Sequence, residues 1–224
     1  MASDQLKLVT SRFSPYGHRV EMVLIEKEIT YEKIEVNLQN RPDWFVKDAP
    51  LGKVPLLYSD NKIIFESIAI CEYLEERFPK IKMHSTNLED KALSRAWMEF
   101  SNGLLSAIFG VIFAKNKQEF DSKKADLLSK LDILEKHLKF NPYFEGEKFS
   151  LVDACFASAF KTLSFIDNKF SLGIFDSYCN VATYAKSVII RDSLSRALPE
   201  NYEEIFKEFL TRRNSHLLTM SFTI

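Results

Sequence analysis

The chain has 224 residues, 46% of them apolar and 27% charged, enough for one large domain or two small ones with a sizeable core and unlike a disordered composition. Its 30 basic and 31 acidic residues nearly cancel, which leaves no basic surface to mark a nucleic-acid partner. Three cysteines, Cys71, Cys155 and Cys179, lie far apart without a C-x-x-C spacing, so they neither staple a fold nor bind zinc, and they suit a reducing cytoplasm.

Residues 1–5 carry no charged and then apolar leader pattern, and the longest apolar run, 104–114, is too short to span a bilayer, so no membrane partner is expected. Residues 6–9 read as a strand, 15–28 as a helix, and 31–36 as a second strand with period-two alternation. Pro42 suits the first turn of a short helix over 42–47. In the segment 51–58 a strand is begun by Pro55, and it turns at Ser59-Asp60-Asn61-Lys62 into the other arm of a hairpin at 63–65. Residues 67–78 repeat apolar positions at helical spacing and stop before Pro79.

Beyond a polar connector at 80–87 no further strand is expected. Leu93, Trp97, Phe100, Leu104, Ile108 and Val111 mark a long helix, and Leu127, Leu131, Leu134 and Leu138 a second stripe. Trp97 and Phe100 read as core. Ser150-Leu151-Val152-Asp153 has the form of a capping box with Asp in place of Glu or Gln, opening a mostly apolar helix from Leu151 to about Ile166. Tyr202, Ile205, Phe206, Phe209 and Leu210 give a last amphipathic helix. The fold class is therefore α/β followed by all-α, with domains at 1–80 and 88–224.

Three places carry chemistry. Ser14-Pro15 stands where a strand gives way to a helix N-terminus, a position that holds anions, although a plain N-cap is the simpler reading. Pro55 opens an interior strand and cannot donate to a ladder, so its N-terminal side must lie at an edge or face a ligand. If the Val54-Pro55 bond is cis, it would turn the Val54 main chain outward to pair with an extended peptide, and a trans proline on an edge strand is the alternative. Ser67, after Glu66, opens a helix and offers a carboxylate or phosphate site, or again only a cap. The four histidines lack metal-ligand spacing, so no metal is expected, and His18 is read as solvated or packed. Lys123-Lys124 and Arg212-Arg213 read as solvated faces.

In this order the residues resemble the cytosolic glutathione transferase family over nearly the whole chain, most closely class omega and its bacterial relatives. Phe13-Ser14-Pro15-Tyr16 stands where that class has Phe-Cys-Pro-aromatic, and residues 37–44 are similar to the omega segment Asn-Leu-x-x-Lys-Pro-Glu-Trp. Gly52-Lys53-Val54-Pro55 and the segment opening at Glu66-Ser67 match the family's proline and Glu-Ser motifs, and residues 143–154 resemble its folding motif. The resemblance implies a thioredoxin-like domain, a mixed four-stranded sheet with helices, joined to a helical bundle, usually as a homodimer.

It also implies roles. Glutathione would be bound by Tyr16, Arg41, Lys53, Val54, Pro55, Glu66 and Ser67, with Val54 pairing main chain to main chain beside cis-Pro55. Ser67 would take the γ-glutamyl carboxylate and Arg41 would face the glycine carboxylate. Pro15, Tyr202 and Phe209 would line a pocket for a small hydrophobic electrophile. The departure is Ser14. A cysteine there would form a mixed disulfide with glutathione, whereas a serine can only donate a hydrogen bond to its sulfur, as in classes theta and tau. The expected activity is thus conjugation by a cytoplasmic glutathione transferase with Ser14 as catalytic residue, with peroxidase as a side activity. The alternatives are a non-catalytic protein-interaction relative similar to stringent starvation protein A, and a class-zeta-like isomerase.

Overall fold

The computed structural model of the chain describes residues 6–139 and 141–220, so the leader reading at 1–5 and the last residues of the second expected domain lie outside it. Strand β1 (Leu6–Thr10) is the centre of the first half: it pairs in parallel with β2 (Tyr31–Glu35) and antiparallel with β3 (Leu56–Ser59), which pairs with β4 (Lys62–Phe65). The sheet order is β2-β1-β3-β4, the mixed four-stranded sheet expected. Val9 stands opposite Ile34 on one side and Leu56 on the other, so Leu8 and Val9 are fully buried, and only Lys7 breaks the strand's apolar residues.

Helix α1 (Pro15–Glu26) returns the chain to β2 and packs against α3 (Ser67–Arg77), α6 (Leu151–Phe170) and α8 (Asp192–Ala197). With neighbours around much of its girth it has little exposed face, and Val20, Met22, Val23 and Leu24 are all sealed from solvent. It ends at Glu26 rather than Glu28, because Lys27 caps it and Glu28 turns to a positive φ of 56°.

The short helix α2 (Asp43–Asp48) forms with Pro42 just outside it. The strand expected to be begun by Pro55 is β3, which starts at Leu56. Gly52 bends the chain with φ +59°, the Val54-Pro55 bond is cis, and Pro55 has no N–H to give a ladder. The β3–β4 hairpin closes through Asp60-Asn61, with Asp60 at φ 52°.

The second half is helical. Helix α4 (Leu88–Phe113) is long and apolar enough by length and composition to cross a bilayer, yet here it lies along α5 (Lys117–His137) and α6 and buries Met98, Leu104, Ile108 and Val111. Trp97 and Phe100 stack against each other at 5.2 Å and join the core through Phe144 and Phe156. The Ser150–Asp153 capping box forms, and the fully buried Asp153 carboxylate also accepts from Phe144 N and Tyr184 Oη, both at 2.8 Å.

Helix α7 (Cys179–Ile189), α8 and α9 (Tyr202–Arg213) complete the bundle; α7 and α8 went unread in the sequence. Two charged clusters hold the far end of α1, one to the helical half and one to α3 and the connector. Glu26 accepts two hydrogen bonds from Arg191 at 2.9 Å, and buried Lys27 meets Glu75 at 2.6 Å while Glu75 also accepts from Met83 N and His84 N.

Candidate active site at the start of helix α1

Ser14 is the N-cap of α1, with Pro15 at the first helical position; its Oγ accepts from Gly17 N at 3.1 Å, and the residue is 6% exposed. Because that oxygen already accepts from the backbone, its own proton is free to donate. Gly17 is required here: a Cβ at 17 would lie 1.9 Å from Thr10 Oγ1, so only glycine lets the helix start so close to the end of β1. His18 is buried, its Nε2 3.2 Å from the Arg12 carbonyl, and burial lowers it to about 4, so at neutral pH the ring is uncharged and braces the loop before Ser14. It is packed, not solvated.

Two cavities meet at this helix end. A smaller one, about 250 Å³, is lined by Lys53, Val54, Pro55, Glu66, Ser67 and Asn102 among others. A larger one, about 730 Å³, has Phe13, Ser14, Pro15, Arg41, Phe109, Phe113 and Phe209 in its walls. Tyr16, Lys53 and Val54 belong to both, so a ligand could bridge the two across the cis-proline corner. Among the described residues the N–H and C=O of Val54 take no hydrogen-bond partner. An extended peptide could pair with them.

The structure thus brings together ten of the sequence-derived site residues: Ser14, Pro15, Tyr16, Arg41, Lys53, Val54, Pro55, Glu66, Ser67 and Phe209. Tyr202 is not among the lining residues. It is 8% exposed, its ring against Phe13 at 5.5 Å and Phe165 at 5.7 Å, with burial holding its hydroxyl well above the usual phenol range. The amphipathic stripe put Tyr202 on the inward face of α9, but Phe13 covers it.

Ser67 is the first residue of α3 rather than its cap. Glu66 takes the cap position with φ 67°, leaving the Ser67 hydroxyl available. That hydroxyl accepts from Arg19 Nη1 at 3.2 Å, and sequence reasoning missed Arg19. Arg19 is fully buried, donates to Asn102 Oδ1 at 2.7 Å and sits over the Tyr16 ring at 5.4 Å, and no described carboxylate pairs with it. The signal available was a charged residue directly before Val20 on a helix whose Val20, Val23 and Leu24 are apolar. Lys123, read as a solvated face, is in the wall of the larger cavity.

The comparisons agree with this geometry. Residues 8–82 match the family model described as the glutathione S-transferase N-terminal domain, and residues 88–192 the C-terminal domain. Glutathione S-transferase omega-1 of Rattus norvegicus is 33% identical over 152 residues, which span 66% of this chain and 63% of the rat protein, less than two thirds of its length. Glutathione S-transferase DHAR2 of Arabidopsis thaliana is 31% identical over 184 residues, 80% of this chain and 81% of that one. The solved structure of glutathione transferase Omega 3C from Trametes versicolor aligns with a TM-score of 0.80 at 27% identity, over 89% of this chain and 91% of that one. With both domain models matched and a relative aligned over most of its length, the chain belongs to the glutathione S-transferase family.

Proposed function

We propose that this protein is a cytoplasmic glutathione transferase in which Ser14 holds the glutathione sulfur as a thiolate for attack on a hydrophobic electrophile. One observation carries the reading: a hydroxyl with its proton free, at the cap of a buried helix, in the wall of an apolar cavity of about 730 Å³. In this reading glutathione lies with its γ-glutamyl carboxylate at Ser67 and the free N–H groups opening α3, its cysteinyl main chain at Val54, and its glycine carboxylate toward Arg41 and Lys53.

The magnitudes suffice. A hydrogen bond to a charged group contributes about 1.5–3 kcal/mol and a helix N-terminus about 0.3–1 kcal/mol. Together they bring a thiol from about 8.5 to roughly 5.5–7.2, which makes the thiolate a major species at neutral pH. The sulfur then bonds to the electrophilic carbon and the leaving group departs with its electron pair. Serine cannot enter a mixed disulfide, which favours conjugation over thiol transfer.

Isothermal calorimetry with glutathione and turnover of 1-chloro-2,4-dinitrobenzene test the reading. Ser14→Ala is expected to keep glutathione binding and to lose at least about tenfold in kcat/KM. An unchanged rate removes Ser14 from the mechanism, and no heat of binding leaves the protein-interaction reading. A homodimer is part of the proposal: Phe65, Leu88 and Leu93 stand 41%, 78% and 62% exposed, apolar surface that a second copy would cover. Sedimentation at two concentrations tests it.

A further inference from the structure

The larger cavity is apolar on its helical side, where Phe109 and Phe113 of α4 and Phe209 of α9 form the wall, yet a cation closes it. Lys123 comes from α5. Its stem lies across Gly110 of α4, so that a Cβ at 110 would stand 3.2 Å from Lys123 Cδ and 3.6 Å from its Cγ. The bare backbone at Gly110 gives the aliphatic stem a surface to lie on while the ammonium stays at the cavity. Among the described residues Lys123 has no ion pair and no hydrogen bond.

The neighbouring acid does not answer it. Glu119 also lines the cavity, but its two oxygens accept from Lys115 N at 2.8 Å and from Asn116 Nδ2 at 3.2 Å, within the start of α5. Arg213 adds positive charge nearby, stacked over Phe113 at 4.9 Å and Phe209 at 5.6 Å. Arg41 and Lys53, on the thioredoxin-like side, are the cations a tripeptide carboxylate would occupy; Lys123, contributed by the other half of the chain, is left over.

We propose that Lys123 is a specificity-determining residue, and that the second substrate is an apolar electrophile bearing one anionic group, a carboxylate or sulfonate, remote from the carbon that glutathione attacks. The proposal rests on the transferase reading above and adds the substrate's class. An apolar body fills the phenylalanine wall, and the anion meets the unpaired cation at the exposed edge of the cavity, an attraction that salt screens.

The test compares 4-chloro-3,5-dinitrobenzoate with its neutral methyl ester. In both, the thiolate sulfur bonds to the ring carbon and chloride leaves with the C–Cl pair, so only the remote charge differs. Each kcat/KM is divided by the rate with free glutathione, which removes the intrinsic difference in reactivity. The acid-to-ester ratio is expected to exceed about five at low salt, to shrink as salt rises, to fall at least about fivefold in Lys123→Gln and further in Lys123→Glu, and to persist in Lys123→Arg. A ratio untouched by Lys123→Gln, with both compounds turned over, overturns this proposal and spares the transferase. Failure to turn over either compound brings down the transferase reading and this one together.

Discussion

At the C-terminal end of helix α1, Glu26 is held by Arg191 and Ser193, Lys27 by Glu75 and the Ile81 carbonyl, and Glu28 faces Lys80. At the N-terminal end, Arg19 is buried with only neutral oxygens around it, and Arg41, Lys53 and Lys123 line cavities with no described carboxylate as partner. One helix therefore separates two uses of charge. Where cations meet carboxylates, the pairs fix α1 against α3 and the connector and, through Glu26 and Arg191, against the helical half. Where cations meet only dipoles, the missing negative charge is what a ligand supplies.

That contrast can be broken from either end. The largest effect is expected at Glu75→Ala, which strands the fully buried Lys27 ammonium and the Met83 and His84 amides. Breaking a buried pair this way costs about 3–5 kcal/mol, read as a lower urea midpoint. A loss no larger than that of a surface change would mean the paired end does not hold α1 to α3 and the connector. Arg19→Lys comes next: it keeps the charge but loses the fork whose Nη1 reaches Ser67 and Asn102 while Nη2 reaches Ser101, worth about 1–2 kcal/mol. It should appear as a several-fold higher KM for glutathione with little change in the urea midpoint. The opposite split would make Arg19 a structural pin and erase the distinction between the two ends.

Acid provides a third test. Burial works to raise Glu72, but hydrogen bonds from His84 and Arg95 outweigh it and hold the carboxyl at about 2, against 4.5 ordinarily. A depressed carboxyl contributes stability that is full above 4.5 and is lost as pH falls toward 2. The urea midpoint of the unaltered protein should thus drop more steeply between pH 5 and about pH 3 than that of Glu72→Gln. Parallel curves would show this pair to be idle. Lys80→Ala sets the baseline: its pairing with Glu28 at 3.4 Å joins side chains 84% and 70% exposed, and no shift in the midpoint is expected.

What could be read from the chain beforehand was local. The Ser14 cap, the Ser150–Asp153 box and the proline before β3 are each settled within a few residues by backbone hydrogen-bond needs, so residue order carried them. Arg19 was opaque because its partners lie 48, 83, 82 and 136 residues away. Lys123 was opaque for the same reason, since only the approach of α5 to Gly110 turns a charge doublet into a cavity wall. Tyr202 failed differently: periodicity gives the buried face of α9, but not which ring stands between that face and the cavity. Helix α7 was within reach, for Val181, Tyr184, Ala185 and Val188 hold the spacing of one buried face.

The contact between Gly17 and Thr10 has a consequence for how such an enzyme could change trade. The missing methyl at position 17 lets the helix start lie against the strand end, and the atom carried at position 14 caps that start by accepting from Gly17 N at 3.1 Å. The scaffold is a socket. Exchange oxygen for sulfur there, and the activity proposed above would be expected to give way to one that runs through a mixed disulfide.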